Sequence, residues 1–403
     1  MLTKVFKAFQ YRDFRVMWFG ACTSSIGTWM QQLAQIWLVL EISQSPFKVG
    51  LDAFLGQIPI FLFSLVGGVV ADRTERRTLL LMSQVVQMIC AFTLAALVFF
   101  NLLHHDVWPI LALSFIVGTA QAFGGPAYSA LVPTLVKSED LPNAIAMNSI
   151  QFNLARSIGP MLGGLALIKW GAVWCFGLNG VSFIAVIISL FLLNTRYIPA
   201  RTGESMLTSM KEGIAFVRKQ EAMVALIVLA FCMTMLAIPL VVFLSVFAKD
   251  VFHKGPEAFT MLLSFSGAGS VAGALIVAGM GRVRRLGRAA LIMLIVLAVL
   301  IVGFSLSKSL PLSCALVFLS GAALMSVFTS ITSLVQLITT DGMRGRVMSV
   351  YNVAFRGGMP IGSLVVGALI PRFTAPVMLA CSGVLLACLG LYFLFIHRRV
   401  AAI

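Results

Sequence analysis

The sequence predicts an all-α polytopic membrane protein whose twelve spans form two pseudo-symmetric six-helix bundles. The 403 residues are 60% hydrophobic and only 11% charged, whereas soluble proteins carry about 25% charged residues. The apolar residues form twelve segments, each long enough to cross a bilayer at about 20 residues per span. An arginine and a proline also recur 200 positions apart, as Arg156 with Pro160 and Arg356 with Pro360. This recurrence relates the two halves of the chain.

The twelve predicted spans lie at about 16–40, 47–71, 79–101, 108–136, 143–168, 172–193, 222–248, 258–281, 289–307, 311–339, 345–370 and 375–396. The longest polar stretch follows the sixth span, and its apolar residues repeat at helical spacing from Leu207 to Val217. This pattern is typical of an amphipathic helix at a membrane surface. We therefore divide the chain into an N-terminal six-helix bundle at 1–193, a cytoplasmic linker with an amphipathic helix at 194–221 and a C-terminal six-helix bundle at 222–403.

The basic residues predict the orientation of the chain. Of the 29 lysines and arginines, 21 lie on the side of the N-terminus, six lie on the other side and two lie inside spans. Because lysine and arginine are enriched in cytoplasmic loops, we expect both termini to lie in the cytoplasm. The expected location is the plasma membrane (the bacterial inner membrane), which the chain crosses several times. The net charge of +15 then follows from topology and requires no nucleic-acid partner.

A parallel repeat with a substrate site near the bilayer midplane is typical of secondary transporters. Arg156 and Arg356 lie about halfway along their spans, where a charge is costly and needs a cavity or a polar partner. Asp52 is the one acid clearly inside a span, so a cavity lined by both arginines would be positive and favour anionic or electron-rich substrates. The alternative is that both arginines bond only backbone groups.

Polar residues at helical spacing extend this interpretation to further spans. The predicted substrate-binding residues are Ser24, Thr28, Gln31, Gln35, Gln121, Asn153, Arg156, Ser333, Gln336, Asn352 and Arg356. In a membrane helix such a stripe faces away from lipid, so it either lines a pathway or bonds neighbouring helices. Asp52 is the predicted proton-coupling residue, with a helix-end cap near external water as its alternative role.

The stretch "GGVVADRTERRT" follows the second span and resembles the cytoplasmic motif of the major facilitator superfamily, although Glu75 stands where that motif usually has glycine. The resemblance implies the fold of that superfamily and a cytoplasmic gate made of Gly68, Asp72, Arg73, Arg76 and Arg77. In this gate Asp72 would accept hydrogen bonds from a facing helix end, and the arginines would pair with acids. Alternatively, the arginines only set the topology.

The stretch "GPMLGG" at 159–164 resembles the fifth-span motif of antiporters in the same superfamily, through Gly159, Pro160, Gly163 and Gly164. The proline would bend the helix and the glycines would allow close helix packing. In that superfamily the motif accompanies export. The stretches 124–149 and 341–352 and the layout of the whole chain also resemble one branch of the superfamily, which holds the enterobactin exporter and the macrolide efflux proteins.

This resemblance implies a secondary active exporter of a small amphipathic molecule, siderophore-like or drug-like, that works by alternating access as a proton antiporter. We expect a monomer in the lipid bilayer. The alternatives are an uptake symporter or a lysolipid flippase of the same fold, and a non-transporting receptor or scaffold. No nucleophile, metal-ligand spacing or nucleotide-binding loop is evident in the sequence, which predicts no enzyme activity, no metal and no cofactor.

Overall fold

The computed structural model describes residues 6–104, 106–194, 206–279 and 285–402, and within these ranges the chain is helical without any strand. Six long helices precede the linker and six follow it. The first six are α1 Arg12–Ser43, α2 Pro46–Arg73, α3 Arg76–Phe99, α4 Trp108–Leu131, α5 Leu141–Trp170 and α6 Ala172–Phe191. The linker contains α7 Met206–Arg218. The last six are α8 Glu221–Val242, α9 Pro256–Gly279, α10 Leu286–Leu306, α11 Leu310–Leu337, α12 Arg344–Phe373 and α13 Ala375–Leu391.

Proline and glycine set several of the helix boundaries. A proline lies in the first turn of α4, α5, α11 and α13, where its missing N–H has no intrahelical acceptor to lose. Gly171 separates α5 from α6 with a φ of +88°, a backbone conformation that strongly favours glycine. Proline also lies inside α5 at Pro160 and inside α12 at Pro360, and both helices continue beyond it.

Ten helices of the described residues are long and apolar enough to cross a membrane. The two predicted spans outside this group form helices as well, α1 with 32 residues and α5 with 30 residues. Both contain polar residues within their apolar segments, the glutamine stripe in α1 and Asn153 with Arg156 in α5. Length and composition therefore support ten of the twelve predicted spans.

The chain forms two compact units. Unit 1 contains Met1–Gln44 and Leu55–Gly203, and unit 2 contains Ser45–Phe54 and Glu204–Ile403. The start of α2 therefore belongs to unit 2, where Gly50 lies against Ser363 and Gly367 of α12 and against Phe243. The linker helix α7 also belongs to unit 2 and packs against α12.

The same pairs of helices pack together inside each unit. In unit 1, α1 packs against α5 and α6, and α3 packs against α4 and α6. In unit 2, α8 packs against α12 and α13, and α10 packs against α11 and α13. The repeat seen in the sequence is therefore also a repeat of helix packing.

Candidate functional site

The polar stripe of α1 is hydrogen-bonded to other helices of unit 1. Gln35 Nε2 donates to Ser114 Oγ of α4 at 2.8 Å, and Asn179 Nδ2 of α6 donates to Gln31 Oε1 at 2.7 Å. Thr28 Oγ1 donates to the carbonyl of Ser24 within α1, at 2.9 Å. Of the two roles expected for this stripe, these contacts support the bonding of neighbouring helices.

Gln121 belongs to a second polar network, between α3 and α4. Its Nε2 donates to Gln87 Oε1 at 3.2 Å, and Gln87 Nε2 donates to Ser83 Oγ at 3.1 Å. Ser83 Oγ in turn donates to the carbonyl of Ala120 at 2.7 Å. Ser83 and Gln87 are both buried, so Gln121 contributes to a helix contact.

Arg156 lies between an aromatic ring and an amide on its own helix. Its guanidinium carbon is 6.0 Å from the centre of the Phe152 ring, within the range of a cation–π contact. Its Nη2 donates to Asn153 Oδ1 at 3.4 Å. The Phe152 ring packs edge-on against Trp29 of α1, with 6.2 Å between the ring centres. The predicted residues Asn153 and Arg156 are therefore brought together, and Phe152 and Trp29 join them.

The glycines of the antiporter-like motif pack against α1. A Cβ added at Gly159 would meet Trp29 and the carbonyl of Ile26, and one added at Gly163 would meet the backbone of Met30. Pro160 and Gly164 are buried beside them. The motif therefore lets the backbones of α1 and α5 approach closely, as in small-residue contacts between membrane helices.

Unit 2 holds a counterpart of this contact that the sequence analysis missed. A Cβ added at Gly358 would meet Phe231 and Thr234 of α8, and one added at Gly362 would meet the backbone of Met235. Both glycines flank Pro360 in "GGMPIG". They lie 199 positions after Gly159 and Gly163, whereas Arg356 and Pro360 lie 200 positions after Arg156 and Pro160. The sequence feature that indicates this contact is the pattern of glycines on both sides of Pro360.

Arg356 differs from Arg156 in its surroundings. It is exposed on α12, and among the described residues it has no hydrogen bond or ion pair. Asn352, one turn earlier on the same face, is also exposed. The positions that correspond to Phe152 and Asn153 are Asn352 and Val353, so the chain offers Arg356 neither of the neighbours that hold Arg156.

The two predicted residues of α11 differ from those of α1. Gln336 is exposed and Ser333 is half-buried, and neither side chain has a hydrogen bond within the described ranges. The neighbouring Thr332 is bonded instead, with its Oγ1 2.9 Å from the hydroxyl oxygen of Tyr351 of α12. Ser333, Gln336, Asn352 and Arg356 are therefore polar residues of unit 2 that are at least partly exposed and have no hydrogen bond among the described residues.

Asp52 is buried, with 6% of its surface exposed. It lies two residues after Gly50, in the part of α2 that belongs to unit 2 and packs against α12. A buried carboxyl at this position is consistent with a proton carrier, a role that stays a prediction.

The basic residues of the predicted cytoplasmic gate contact backbone carbonyls of unit 1. Arg76 Nη1 donates to the carbonyl of Ala130 at 3.0 Å. Arg77 donates to the carbonyl of Leu193 at 3.3 Å and to that of Phe191 at 3.1 Å. These bonds tie the start of α3 to the ends of α4 and α6, and the acidic partners expected for the gate arginines stay a prediction. Arg73 is exposed and Gly68 is half-buried, and the side chain of Asp72 lies outside what the structure describes.

The chain matches the protein family described as transmembrane secretion effector over residues 3–402. It belongs to this family of the major facilitator superfamily. Macrolide efflux protein A of Streptococcus pyogenes is 22% identical over 388 residues, which are 94% of each chain. The enterobactin exporter EntS of Escherichia coli O1:K1 / APEC is 25% identical over 367 residues, which are 88% of this chain and 84% of that relative.

Solved structures of other transporters share the fold. A POT family transporter in complex with 5-aminolevulinic acid has a TM-score of 0.78 at 13% identity and covers 96% of each chain. A bacterial homolog of the human lysosomal transporter Spinster has a TM-score of 0.76 at 14% identity, covering 96% of this chain and 97% of that one. The predicted superfamily and fold are confirmed. This member of the major facilitator superfamily is a multi-pass membrane transporter and not an enzyme.

Two contacts at the ends of helices α5 and α12 could not be predicted from the sequence of this transporter. In the first, Asp140 has only 3% of its side chain exposed and lies 2.7 Å from Lys7 Nζ. Tyr11 and Gln10 also donate to its carboxylate, at 2.8 and 3.0 Å. The hydrogen bonds from Lys7 and Tyr11 hold the pKa of Asp140 below its ordinary value. These contacts fasten the N-terminal segment to the start of α5.

In the second contact, Glu212 of the linker helix lies 2.7 Å from Arg346 of α12. Gly213 lies against the backbone of Arg346, and Val217 is buried. The amphipathic helix therefore rests on the start of α12. The sequence indicated the apolar face of α7, but it gave no sign of which helix that face covers.

Proposed function

We propose that the chain exports a small amphipathic anion, siderophore-like or drug-like, from the cytoplasm across the bacterial inner membrane. Both termini lie in the cytoplasm in this proposal, and the transporter works as a monomer. Alternating access would move the substrate, and inward proton flow would drive it. In unit 2, the polar residues Asn352 and Arg356 of α12 would contribute to substrate binding.

One observation carries the anionic part of the proposal. Arg356 is exposed and has no hydrogen bond or ion pair among the described residues. It lies 12 residues into α12, which is about 18 Å along a helix that rises 1.5 Å per residue. A guanidinium at that depth does not face hydrocarbon. A charge that meets no partner among the described residues is available for a negatively charged ligand, to which it can donate paired hydrogen bonds.

The export direction is supported by the glycine–proline motif and by the relatives. Gly159 and Gly163 make the close α1–α5 contact expected of the antiporter-like pattern. The names of the two relatives describe efflux of macrolides and export of enterobactin. These names also supply the siderophore-like and drug-like classes of substrate.

Proton coupling is proposed for Asp52 because it is a buried acid inside a predicted span. A carboxyl in such a position can take up a proton from one side of the membrane and release it to the other. Gly68, Asp72 and Arg73 are proposed to act at the cytoplasmic gate, with Arg76 and Arg77 holding the ends of α4 and α6 in place.

Transport in everted membrane vesicles tests the proposal. Vesicles with an acidic interior are expected to accumulate an anionic amphipathic probe through the protein, and a protonophore is expected to abolish the accumulation. Loss of probe from preloaded vesicles would support the uptake symporter. Movement of lysolipid without any soluble probe would support the flippase. No protein-dependent flux of any probe would favour a receptor or scaffold and overturn the proposal.

A further inference from the structure

Three aromatic rings from two neighbouring helices of unit 2 form one cluster. The rings of Phe328 in α11 and Phe355 in α12 have centres 4.7 Å apart at an interplanar angle of 42°. Tyr351 stacks on Phe355, with 6.1 Å between ring centres and an angle of 23°. These separations are those of favourable aromatic pairs. Phe328, Tyr351 and Phe355 are called the ring cluster below.

The members of the ring cluster differ in accessibility. Tyr351 is only 1% exposed, and its hydroxyl is bonded to Thr332 at 2.9 Å. It is therefore a fixed support between α11 and α12. Phe328 and Phe355 are half-buried, so the accessible ring surface of the cluster belongs to these two side chains.

A cation of α12 lies next to the ring cluster in the sequence. Arg356 directly follows Phe355 in the chain and is exposed without a hydrogen bond or ion pair in the part of the chain that the structure describes. Asn352, on the same face as Arg356, is exposed too. Since a charged residue in a span faces the protein interior or a water-filled space, this face of α12 borders a polar space. Ring surface and positive charge thus occupy adjacent positions of one helix.

We propose that Arg356 and the ring cluster form a recognition site for an aromatic ring that carries an acidic group. This inference rests on the proposed function and narrows its substrate class. The acidic group accepts charge-assisted hydrogen bonds from Arg356, and its ring packs against Phe355 and Phe328. An aliphatic anion can bond Arg356 but has no ring to pack against Phe355 and Phe328. An aromatic cation meets the rings but is repelled by the arginine.

Three probes of matched size separate these contributions in the purified full-length protein. They are naphthalenesulfonate, octanesulfonate and naphthyltrimethylammonium, titrated by calorimetry. The wild type is expected to bind naphthalenesulfonate about tenfold more tightly than octanesulfonate, which is the upper range for an aromatic pair. It is expected to bind the cation weakest of the three, because Arg356 repels it.

Variants then assign each contribution to its residue. Phe355→Leu keeps an apolar side chain of similar reach and is expected to remove the aromatic preference while octanesulfonate binding changes by less than about twofold. Arg356→Gln is expected to weaken both sulfonates by about tenfold or more. Phe373→Leu and Arg372→Gln, at the far end of the same helix, are matched controls that are expected to bind all three probes like the wild type.

Two further variants, Phe328→Leu and Phe355→Tyr, distinguish the loss of an aromatic ring from a folding defect caused by Phe355→Leu. The first removes a ring from α11 and is expected to lower the aromatic preference, while the second keeps the ring and the preference. A wild type that binds both sulfonates equally, or a Phe355→Leu variant that keeps the preference, overturns the recognition site. If both sulfonates still depend on Arg356, the proposed anion transport survives that result. If neither depends on Arg356, both proposals fail.

Discussion

The guanidinium carbon of Arg156 lies 6.0 Å from the centre of the Phe152 ring, and the side chain also bonds Asn153. Its repeat partner Arg356 has Asn352 and Val353 at the corresponding positions. Two arginines that lie 200 positions apart in two similarly packed units therefore have different surroundings. This difference predicts different consequences when each is neutralised.

Arg156→Gln is expected to lower the thermal stability of the purified protein, because it removes the cation–π contact with Phe152, worth about 0.5–2 kcal/mol. Arg356→Gln is expected to leave thermal stability unchanged or higher, since it removes a charge without a partner among the described residues. Thermal unfolding of both variants in the same detergent measures this. A larger loss of stability for Arg356→Gln would contradict the assignment of roles.

Gly163→Ala and Gly362→Ala are each expected to destabilise the protein by about 1–3 kcal/mol, because the added methyl group meets the backbone of Met30 or of Met235 and overpacks the contact. Gly177→Ala is the matched control, since a Cβ at that helical position meets nothing within 4 Å. Thermal unfolding should show losses for the first two variants and none for the control. Equal effects at all three positions would mean that close packing is not what these glycines provide.

Asp140→Asn is expected to loosen the N-terminal segment, because it removes the ion pair with Lys7 and weakens the bond from Tyr11. Hydrogen exchange at the amide of Ala8, which donates to Asn143, reports the loss. Glu139→Gln is the control, because Glu139 is the neighbouring acid and is exposed. If hydrogen exchange at Ala8 is also faster in Glu139→Gln, the effect of Asp140→Asn comes from the charge of the loop and not from the contact of Asp140 with Lys7.

The same contact is expected to be insensitive to pH from about pH 5 to about pH 9. The pKa of Asp140 is lowered in the folded protein, so the stabilisation from this carboxylate is lost only as pH falls through that lowered pKa. The pKa of Lys7 is raised, chiefly by its hydrogen bond to Asp140, so its contribution is lost only as pH rises through that raised pKa. Detachment of the N-terminal segment near neutral pH would contradict this expectation. It would be seen as faster hydrogen exchange at the amide of Ala8 after correction for the intrinsic exchange rate at each pH.

Reversing the charge of Glu212 or of Arg346 alone is expected to weaken the docking of α7 on α12. Both side chains are partly exposed, at 48% and 28%, and such pairs contribute about 0.2–1 kcal/mol. The double reversal, Glu212→Arg with Arg346→Glu, is expected to restore the contact. Hydrogen exchange of α7 in the four proteins measures the coupling, and a double variant no better than the single ones would argue against the ion pair.

Asp52→Asn is expected to abolish transport driven by a pH gradient while substrate binding persists, because the amide cannot carry a proton. Vesicle transport and calorimetric binding are measured on the same preparation. Transport that responds to the pH gradient as in the wild type would remove Asp52 from the coupling mechanism.

Much of the helical architecture could be predicted from the sequence, because the length of each apolar segment and the positions of the repeated prolines are local features of the chain. The paired arginines and the packing glycines of α5 were visible in the same way. The partners of these residues were not visible, since Gln35 with Ser114 and Asp140 with Lys7 join positions far apart in the chain. Nothing in the spacing of α1 distinguishes a stripe that lines a pathway from one that bonds α4 and α6.

The division of α2 also could not be predicted from the sequence. Hydropathy continues through Phe54 and Leu55 without a break, yet Ser45–Phe54 belongs to unit 2. The cause is the approach of Gly50 to Gly367, a contact between residues more than three hundred positions apart. Local patterns carry no information about such a contact.

The proposed export of amphipathic anions depends on their contact with Arg356. The most direct measurement compares accumulation of naphthalenesulfonate and naphthyltrimethylammonium in everted vesicles with an acidic interior, for the wild type, Arg356→Gln and the control Arg372→Gln. The wild type and the control are expected to accumulate the anion in preference to the cation, and Arg356→Gln is expected to lose that preference. An Arg356→Gln variant that accumulates the anion as well as the wild type would contradict it.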